Sequence, residues 1–387
     1  MLVSPFSITQ EFFPEATMKS IKKVAKAAIQ NCQPRLQRLI PHLNKLRVCV
    51  VLGSISVSVC LVSDVTFSQE ALSSGTPTSP PTGATDELNL AVKKETGTSS
   101  ATPCRSRPGM APEIVLIEAA SFTMGSPTTE IGRDSGETQH PVTLQRGYGI
   151  GRCEVTVAEY RLFIRDTGYK TQGNQGTGCR IWSEDKNIWI DEPSAGWESP
   201  GFPQNGDHPV VCVSWKDANQ YARWLSFKTN SVYRLPSETE WEYAARGTVS
   251  GEAFPFHWGE KPNEACEYAN GMDLDGKKRF PDRTTVNCSD GAVYTTPAGQ
   301  YRSNGFGLRD TAGNVWEWTA DCWHSDYAGA PDDGRPWGEE NRGDCTRRSV
   351  RGGGWNYGPL LLRSAYRTWY NADTAHNFLG FRLARDL

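Results

Sequence analysis

Apolar positions recur at helical spacing in three stretches of the chain. Tyr160, Phe163 and Ile164 make one stripe over residues 156–167, opened by Thr156, whose hydroxyl can cap a helix N-terminus. Ala218, Tyr221, Ala222 and Leu225 make a second face over 216–226, directly after the apolar run 209–215. A third helix is predicted over 237–247: Ser237 caps it, Glu240 completes a capping box and Gly247 stops it. Elsewhere the pattern is strand-like. Residues 113–124 alternate in part and turn at Gly125, and 141–144 and 148–155 read as further strands. Beyond Gly247 the pattern breaks into long loops and short strands as far as Gly352. The predicted class is α+β, irregular and loop-rich, with no β-α-β rhythm of a nucleotide-binding sheet.

The N-terminal third follows a different pattern. Residues 48–62 are apolar or small and uncharged, and Asp64 ends the run. Before it stand Lys19, Lys22, Lys23, Lys26, Arg35, Arg38, Lys45 and Arg47 against Glu11 and Glu15. A basic flank before a run of about 15 apolar residues is the layout of a secretory signal, or of a retained anchor, and is short for a membrane span. Residues 1–66 are therefore expected to be a basic n-region with a signal peptide or membrane anchor, the mature chain starting between about Cys60 and Ala71. Residues 67–109, rich in Ser, Thr, Pro and Gly, are expected to form a disordered tether. Residues 110–387 are the expected folded domain, since all 13 tryptophans lie at or after Trp182. The implied location is outside the cytoplasm: periplasmic, extracellular or membrane-tethered.

Of 41 basic and 44 acidic residues, 8 and 3 lie in residues 1–65, leaving 33 against 41, a net charge of −8. That balance excludes nucleic acid as a partner, and any membrane contact is left to the N-terminal segment. A monomer is expected.

Eight of the 11 cysteines lie from Cys104 onward, an even number that reads as disulfides in an exported chain. Zinc would call for C-x-x-C pairs, and none is present. Cys266 with Cys288, Cys322 with Cys345, and Cys179 with Cys212 each close a loop of roughly 20–35 residues. Cys104 and Cys153 are then left to each other. His140, His208, His257, His324 and His376 stand singly, which gives no iron or zinc centre.

The stretch 305–323 combines Asp310, Asn314 and Glu317 with Gly313 and the indoles of Trp316, Trp318 and Trp323. Carboxylates, an amide and exposed carbonyls make an oxygen-rich cage suited to a hard cation. The same residues also describe a Gly-rich turn leading into a Trp-rich strand.

A series of short motifs then appears in order: Met124-Gly125, Glu154-Val155-Thr156, His208-Pro209-Val210, Val213-Ser214-Trp215, Arg234-Leu235-Pro236-Ser237-Glu238, Trp241-Glu242-Tyr243-Ala244, Gly313-Asn314-Val315-Trp316-Glu317-Trp318, Arg351-Gly352-Gly353 and Leu379-Gly380-Phe381-Arg382. Over about 110–387 the series resembles the sulfatase-modifying-factor family, which contains the formylglycine-generating enzymes. The resemblance implies an α+β fold of the C-type-lectin-like kind, low in regular structure. It also implies structural calcium at two sites. Asp310, Gly313, Val315 and Glu317 match one, with Asp310 where Asn is usual; Asn270, Gly271, Asp290 and Ala292 match the other.

The family's copper centre does not carry over. It uses two cysteines shortly before the final Gly-Phe-Arg, and these positions fall on Pro359 and Ser364, with no cysteine after Cys345. A hydroxyl does not replace a thiolate at copper(I). No copper is expected. No iron is expected either, because the family's iron-dependent sulfoxide-forming branch takes its histidines from an added helical domain. A third branch matures peptide siderophores in the periplasm without the copper cysteines, and this chain is nearest to it in kind.

Two readings follow from the resemblance. One is an exported enzyme acting in maturation or oxidative modification of a peptide or protein, its cleft built from Trp355, Asn356, Arg363, Ser364, Arg367 and Arg382. The other is a non-catalytic, calcium-stabilised module that binds a peptide or glycan. The arginines are open to two roles, substrate contacts or buried ion pairs with the domain's carboxylates.

Overall fold

The computed structural model describes residues 47–53, 56–62, 104, 111–183, 185–248 and 254–387. In the N-terminal unit, β1 (Arg47–Gly53) pairs antiparallel with β2 (Ser56–Val62), so the apolar run is laid out as a hairpin. The basic flank before it, the expected cleavage region beyond Val62 and the tether apart from Cys104 lie outside the described residues. Among the described residues no helix is long and apolar enough to cross a membrane.

In the main unit the strands run, in chain order, β3 (Ile114–Ile117), β4 (Ala120–Met124), β5 (His140–Leu144), β6 (Tyr148–Gly151), β7 (Cys179–Ser183), β8 (Ile188–Glu192), β9 (Tyr233–Arg234), β10 (Trp316–Trp323), β11 (Asp344–Arg351), β12 (Arg367–Asn371), β13 (Leu379–Gly380) and β14 (Ala384–Asp386). The α-helices are α1 (Val157–Thr167), α2 (Trp215–Thr229), α3 (Glu238–Arg246) and α4 (Leu274–Arg279). One four-stranded sheet has the order β3-β6-β14-β9; the other is β12-β11-β10-β13, antiparallel except where β10 meets β13. The pairs β4-β5 and β7-β8 stand as separate ribbons. This is a mixed α+β fold with much of its length in loops.

The three predicted helices form, each behind a capping box. Thr156, Ser214 and Ser237 accept the backbone N–H of Glu159, Asp217 and Glu240, whose carboxylates return to the cap backbone. Such a cap contributes about 1 kcal/mol. One strand expectation needs correction: residues 113–124 are two strands, Ile114–Ile117 and Ala120–Met124. The apolar run 209–215 packs as an irregular segment leading into α2. There Val210 donates to the Val155 carbonyl and Cys212 to that of His376, with Cys212 in the left-handed region at φ 58°. Buried Val210, Val211 and Val213 join Tyr160, Tyr221, Trp316, Trp318, Trp355 and Phe381 in the larger core; a second cluster packs β4, β5 and β6 against Tyr243 of α3.

Four disulfides brace the domain: Cys104–Cys153, Cys179–Cys212, Cys266–Cys288 and Cys322–Cys345. Crosslinks of this number belong to oxidising surroundings.

Candidate functional site

The stretch 305–323 folds as a tight turn feeding β10. Asp310 and Asn314 both take positive φ, and Gly313, at φ 77°, has no alternative: a Cβ there would lie 2.1 Å from the Asn270 carbonyl oxygen. That carbonyl accepts the Asn314 N–H at 2.7 Å, and the Asn270 amide donates to Asn314 Oδ1 at 3.2 Å, so the two expected cation sites are stitched together. Val315 is fully buried in the core.

Glu317 has a different partner from the one expected. Arg382 Nε and Nη2 donate to its two oxygens, both at 2.6 Å, and Trp241 Nε1 adds a third bond at 2.7 Å. Arg382 Nη2 also donates to the carbonyls of Arg309 and Asp310 at 3.0 Å. A guanidinium thus holds the carboxylate that the resemblance offered to calcium. Asp310 differs: its Oδ2 accepts the Gly299 N–H at 2.5 Å, while Oδ1 is buried without a partner. Burial raises its pKa, as it does for neighbouring Glu154.

At the second expected site Asp290 lies with Asp273 and Asp275, their carboxylate oxygens within 4.8 Å of one another. Asp273 accepts the N–H of Asp275 and Gly276 at the start of α4 and that of Asp290, while Tyr301 donates to Asp290 at 2.7 Å. Burial and the Asp273 carboxylate push Asp290 up to about 6. The Ala292 N–H caps Asp290 Oδ1, and Gly271 packs against Leu362. Asp273 and Asp275 were missed in the sequence reading, although Asp273-Leu274-Asp275-Gly276 carries the oxygen-rich spacing that marks them.

The six residues expected to build a cleft do not share one. Trp355 is core, ringed by Trp189, Phe202, Phe280 and Tyr294. Asn356 is buried with its Oδ1 unpartnered, and buried Ser364 donates its N–H to the Pro255 carbonyl at 2.8 Å. Arg367 makes a two-pronged pair with Glu238 at 2.7 and 2.8 Å, between the rings of Trp323 and Tyr327. Burial alone would raise Glu238, yet the Arg367 guanidinium overrides it and holds the carboxyl at about 2. Arg363 binds Glu137 at 2.7 and 2.8 Å, together with Glu130 and the carbonyls of Gly132 and Leu360. Arg351 pairs with Glu242. The arginines of this segment are ion-paired scaffold, the second of the two roles open to them. The physical reason is burial: a guanidinium taken out of water requires a carboxylate.

An opening does exist beside them. A cavity of about 360 Å³ is lined by Pro127, Thr129, Glu130, Ile131, Pro255, Phe256, Glu260, Pro262, Leu360 and Arg363. Leu360 belongs to the short turn Pro359–Leu361, and Arg363 precedes Ser364, so the cavity abuts the segment in which the thiolate pair would stand. Its wall is mostly apolar, with Thr129, Glu130, Glu260 and Arg363 as the polar positions. No cysteine lines it.

Fold and site together define a class: a disulfide-braced, irregular α+β domain built on buried Glu–Arg pairs, with a cleft near its C-terminal Gly-rich segment. Residues 99–387 match the sulfatase-modifying factor enzyme 1-like domain, and the chain belongs to that family. Over 303 residues it is 31% identical to the formylglycine-generating enzyme of Streptomyces coelicolor, covering 73% of this chain and 91% of that one. Over 301 residues it is 30% identical to the inactive C-alpha-formylglycine-generating enzyme 2 of Mus musculus, covering 70% and 85%. The solved structure of PvdO from Pseudomonas aeruginosa is similar with a TM-score of 0.59 and 34% identity, over 74% of this chain and 100% of that one.

Proposed function

We propose that the domain works outside the cytoplasm on an exported peptide or protein, as a calcium-stabilised maturation factor that operates without copper. The observation that carries this reading is the cavity at Leu360 and Arg363, a cleft in the family's catalytic region with no cysteine in its wall. All eight cysteines from Cys104 onward are paired, so none of these eight offers a thiolate to copper(I). Similarity to PvdO and to an enzyme named inactive fits a family member that has lost this centre. The exported location is supported by the basic flank, the apolar run and the four disulfides.

A second reading, a binding module without turnover, draws on the same cavity and on the inactive relative. Mass spectrometry of exported peptides from cells with and without this protein separates the two. A peptide altered in mass only when the wild-type protein is present supports maturation; its loss in a Leu360→Trp variant, which fills the cavity, places the substrate there. Identical peptide profiles leave only the binding module.

A further inference from the structure

The cavity at Leu360 and Arg363 is walled by three segments that the fold ties together. Arg363 Nη2 donates to the Gly132 carbonyl at 2.6 Å, and the Ser364 N–H donates to that of Pro255 at 2.8 Å. Gly132, at φ 79°, lets Leu360 pack against the first segment: a Cβ there would lie 2.8 Å from Leu360 Cδ2. Ile131 and Leu360 remain exposed in the wall, beside Phe256 and three prolines.

Charge in this wall is one-sided. Arg363 is fully engaged inside the protein: Nε goes to the Leu360 carbonyl, Nη1 to Glu130 and Glu137, and Nη2 to Glu137 and the Gly132 carbonyl. One guanidinium thus serves two carboxylates. Glu130 gives Oε1 to Arg363, while Oε2 has no hydrogen bond among the described residues, although the side chain is only 3% exposed. Burial raises the Glu130 pKa against the pull of Arg363. The neighbouring cations are committed elsewhere. Arg246 binds Glu242 and the Gly125 carbonyl, Lys261 binds Glu264, and Arg133 Nε donates to the Ser126 carbonyl. Glu260 is exposed in the cavity wall and has no ion pair among the described residues.

A carboxylate oxygen left unmatched out of water favours a ligand that brings positive charge. The apolar wall favours one that also brings hydrocarbon. A lysine side chain supplies both, because its methylene stem lies on apolar surface while its ammonium reaches for oxygen. Arginine fits less well. Its planar fork binds best to both oxygens of one carboxylate, and Glu130 has one to give. An ammonium accepts single oxygens from separate groups.

We propose that this cavity is a specificity pocket for a lysine side chain of the exported peptide, with Glu130 and Glu260 drawing the ammonium and Ile131, Phe256 and Leu360 receiving the stem. The inference rests on the reading of this cavity as the peptide site.

The test is selection of peptides from a random displayed library by the disulfide-bonded protein, followed by synthesis of the selected peptide with its lysine changed. Lysine should be enriched at one position, and its replacement by norleucine or arginine should weaken binding about tenfold. Glu130→Gln should remove the preference for lysine over norleucine. Should Glu130→Gln fail to fold, Glu260→Gln, at an exposed position, should reduce the same preference. A library that yields no lysine-bearing peptide overturns the assignment, as does lysine bound no better than norleucine or arginine, or a preference untouched by both variants. The peptide profiles described above separate this result from the maturation reading. Profiles unchanged by the protein alongside a lysine preference sink maturation and leave the pocket; altered profiles without that preference do the reverse.

Discussion

Buried carboxylates are handled in opposite ways in two regions of this domain. Packed around β10, β11 and the segment after β11, four glutamates meet guanidiniums: Glu317 with Arg382, Glu242 with Arg351 and Arg246, Glu238 with Arg367, and Glu137 with Arg363, whereas Asp321 on β10 accepts the Glu238 and Trp337 N–H groups instead. Around the turn at Asp310 and the loop of Asp273 and Asp290, carboxylates meet backbone amides, a tyrosine and one another. The first region is closed in the sense that these four carboxylates already hold their guanidiniums. Arginines there hold β-strands and loops in register. The second region is open, with anionic oxygens still able to take a cation. Type and burial of a residue therefore do not identify a ligand; the unfilled valence does.

The largest effect is expected in the closed region. Arg382→Met leaves Glu317 buried without its counter-charge, and should cost about 3–5 kcal/mol in urea unfolding with disulfides intact. Pairing it with Glu317→Leu should restore part of that loss. A cost under about 1 kcal/mol would erase the distinction between the regions.

Next comes the covalent clamp of the open region. Cys266 and Cys288 lie 22 residues apart and enclose Asp273 and Asp275. Replacing both by serine should cost about 3 kcal/mol by loop entropy and, on the proposed calcium reading, should also abolish the calcium-dependent rise in stability assigned to the Asp273 cluster. Loss of the first without the second would detach that cluster from the disulfide.

Acid sharpens the contrast because the two regions respond with opposite signs. Glu238 is held at about 2, below its ordinary 4.5, so its contribution is complete above pH 4.5 and disappears as pH falls towards 2. Asp290 is raised from 3.8 to about 6, so in chelator its contribution is complete below pH 4 and is lost as pH rises through 6. Unfolding in chelator should show an Asp290-dependent gain between pH 6 and 4, flattened in Asp290→Asn, and a loss below 4.5 that this variant keeps. A profile unchanged by the substitution would mean that Asp290 is not strained by its neighbours.

The smallest effect is expected at Asp275, which is partly exposed and bonded to Lys278, Ser289 and Gly291. Asp275→Asn in chelator should stay within about 0.5 kcal/mol of wild type and differ from it only when calcium is present.

What was legible in the sequence was local or stepwise. Ser237 and Glu240 stand three residues apart, so their capping box needs no tertiary information. The order of the Gly-Asn-Val-Trp-Glu-Trp and Gly-Phe-Arg motifs carried the family and its α+β fold. The cysteine pairs that close loops of 22, 23 and 33 residues also stand near enough in sequence to be matched. Pairing across the fold was beyond it. Arg363 finds Glu137 at a separation of 226 residues, Arg367 finds Glu238 at 129, and Asn314 finds Glu154 at 160. Nothing in a single chain says which of many acids a given arginine will meet, so a cleft drawn from adjacent residues of 355–367 became core.

The most direct test of the contrast between closed and open carboxylates is the melting curve of the wild-type, disulfide-bonded protein in chelator and in saturating calcium. A ligand bound only by the folded state raises the melting temperature in proportion to the logarithm of its concentration over Kd. The account predicts a clear upward shift with calcium that diminishes stepwise in Asp310→Asn and Asp290→Asn. Superimposable wild-type curves in chelator and calcium would contradict it.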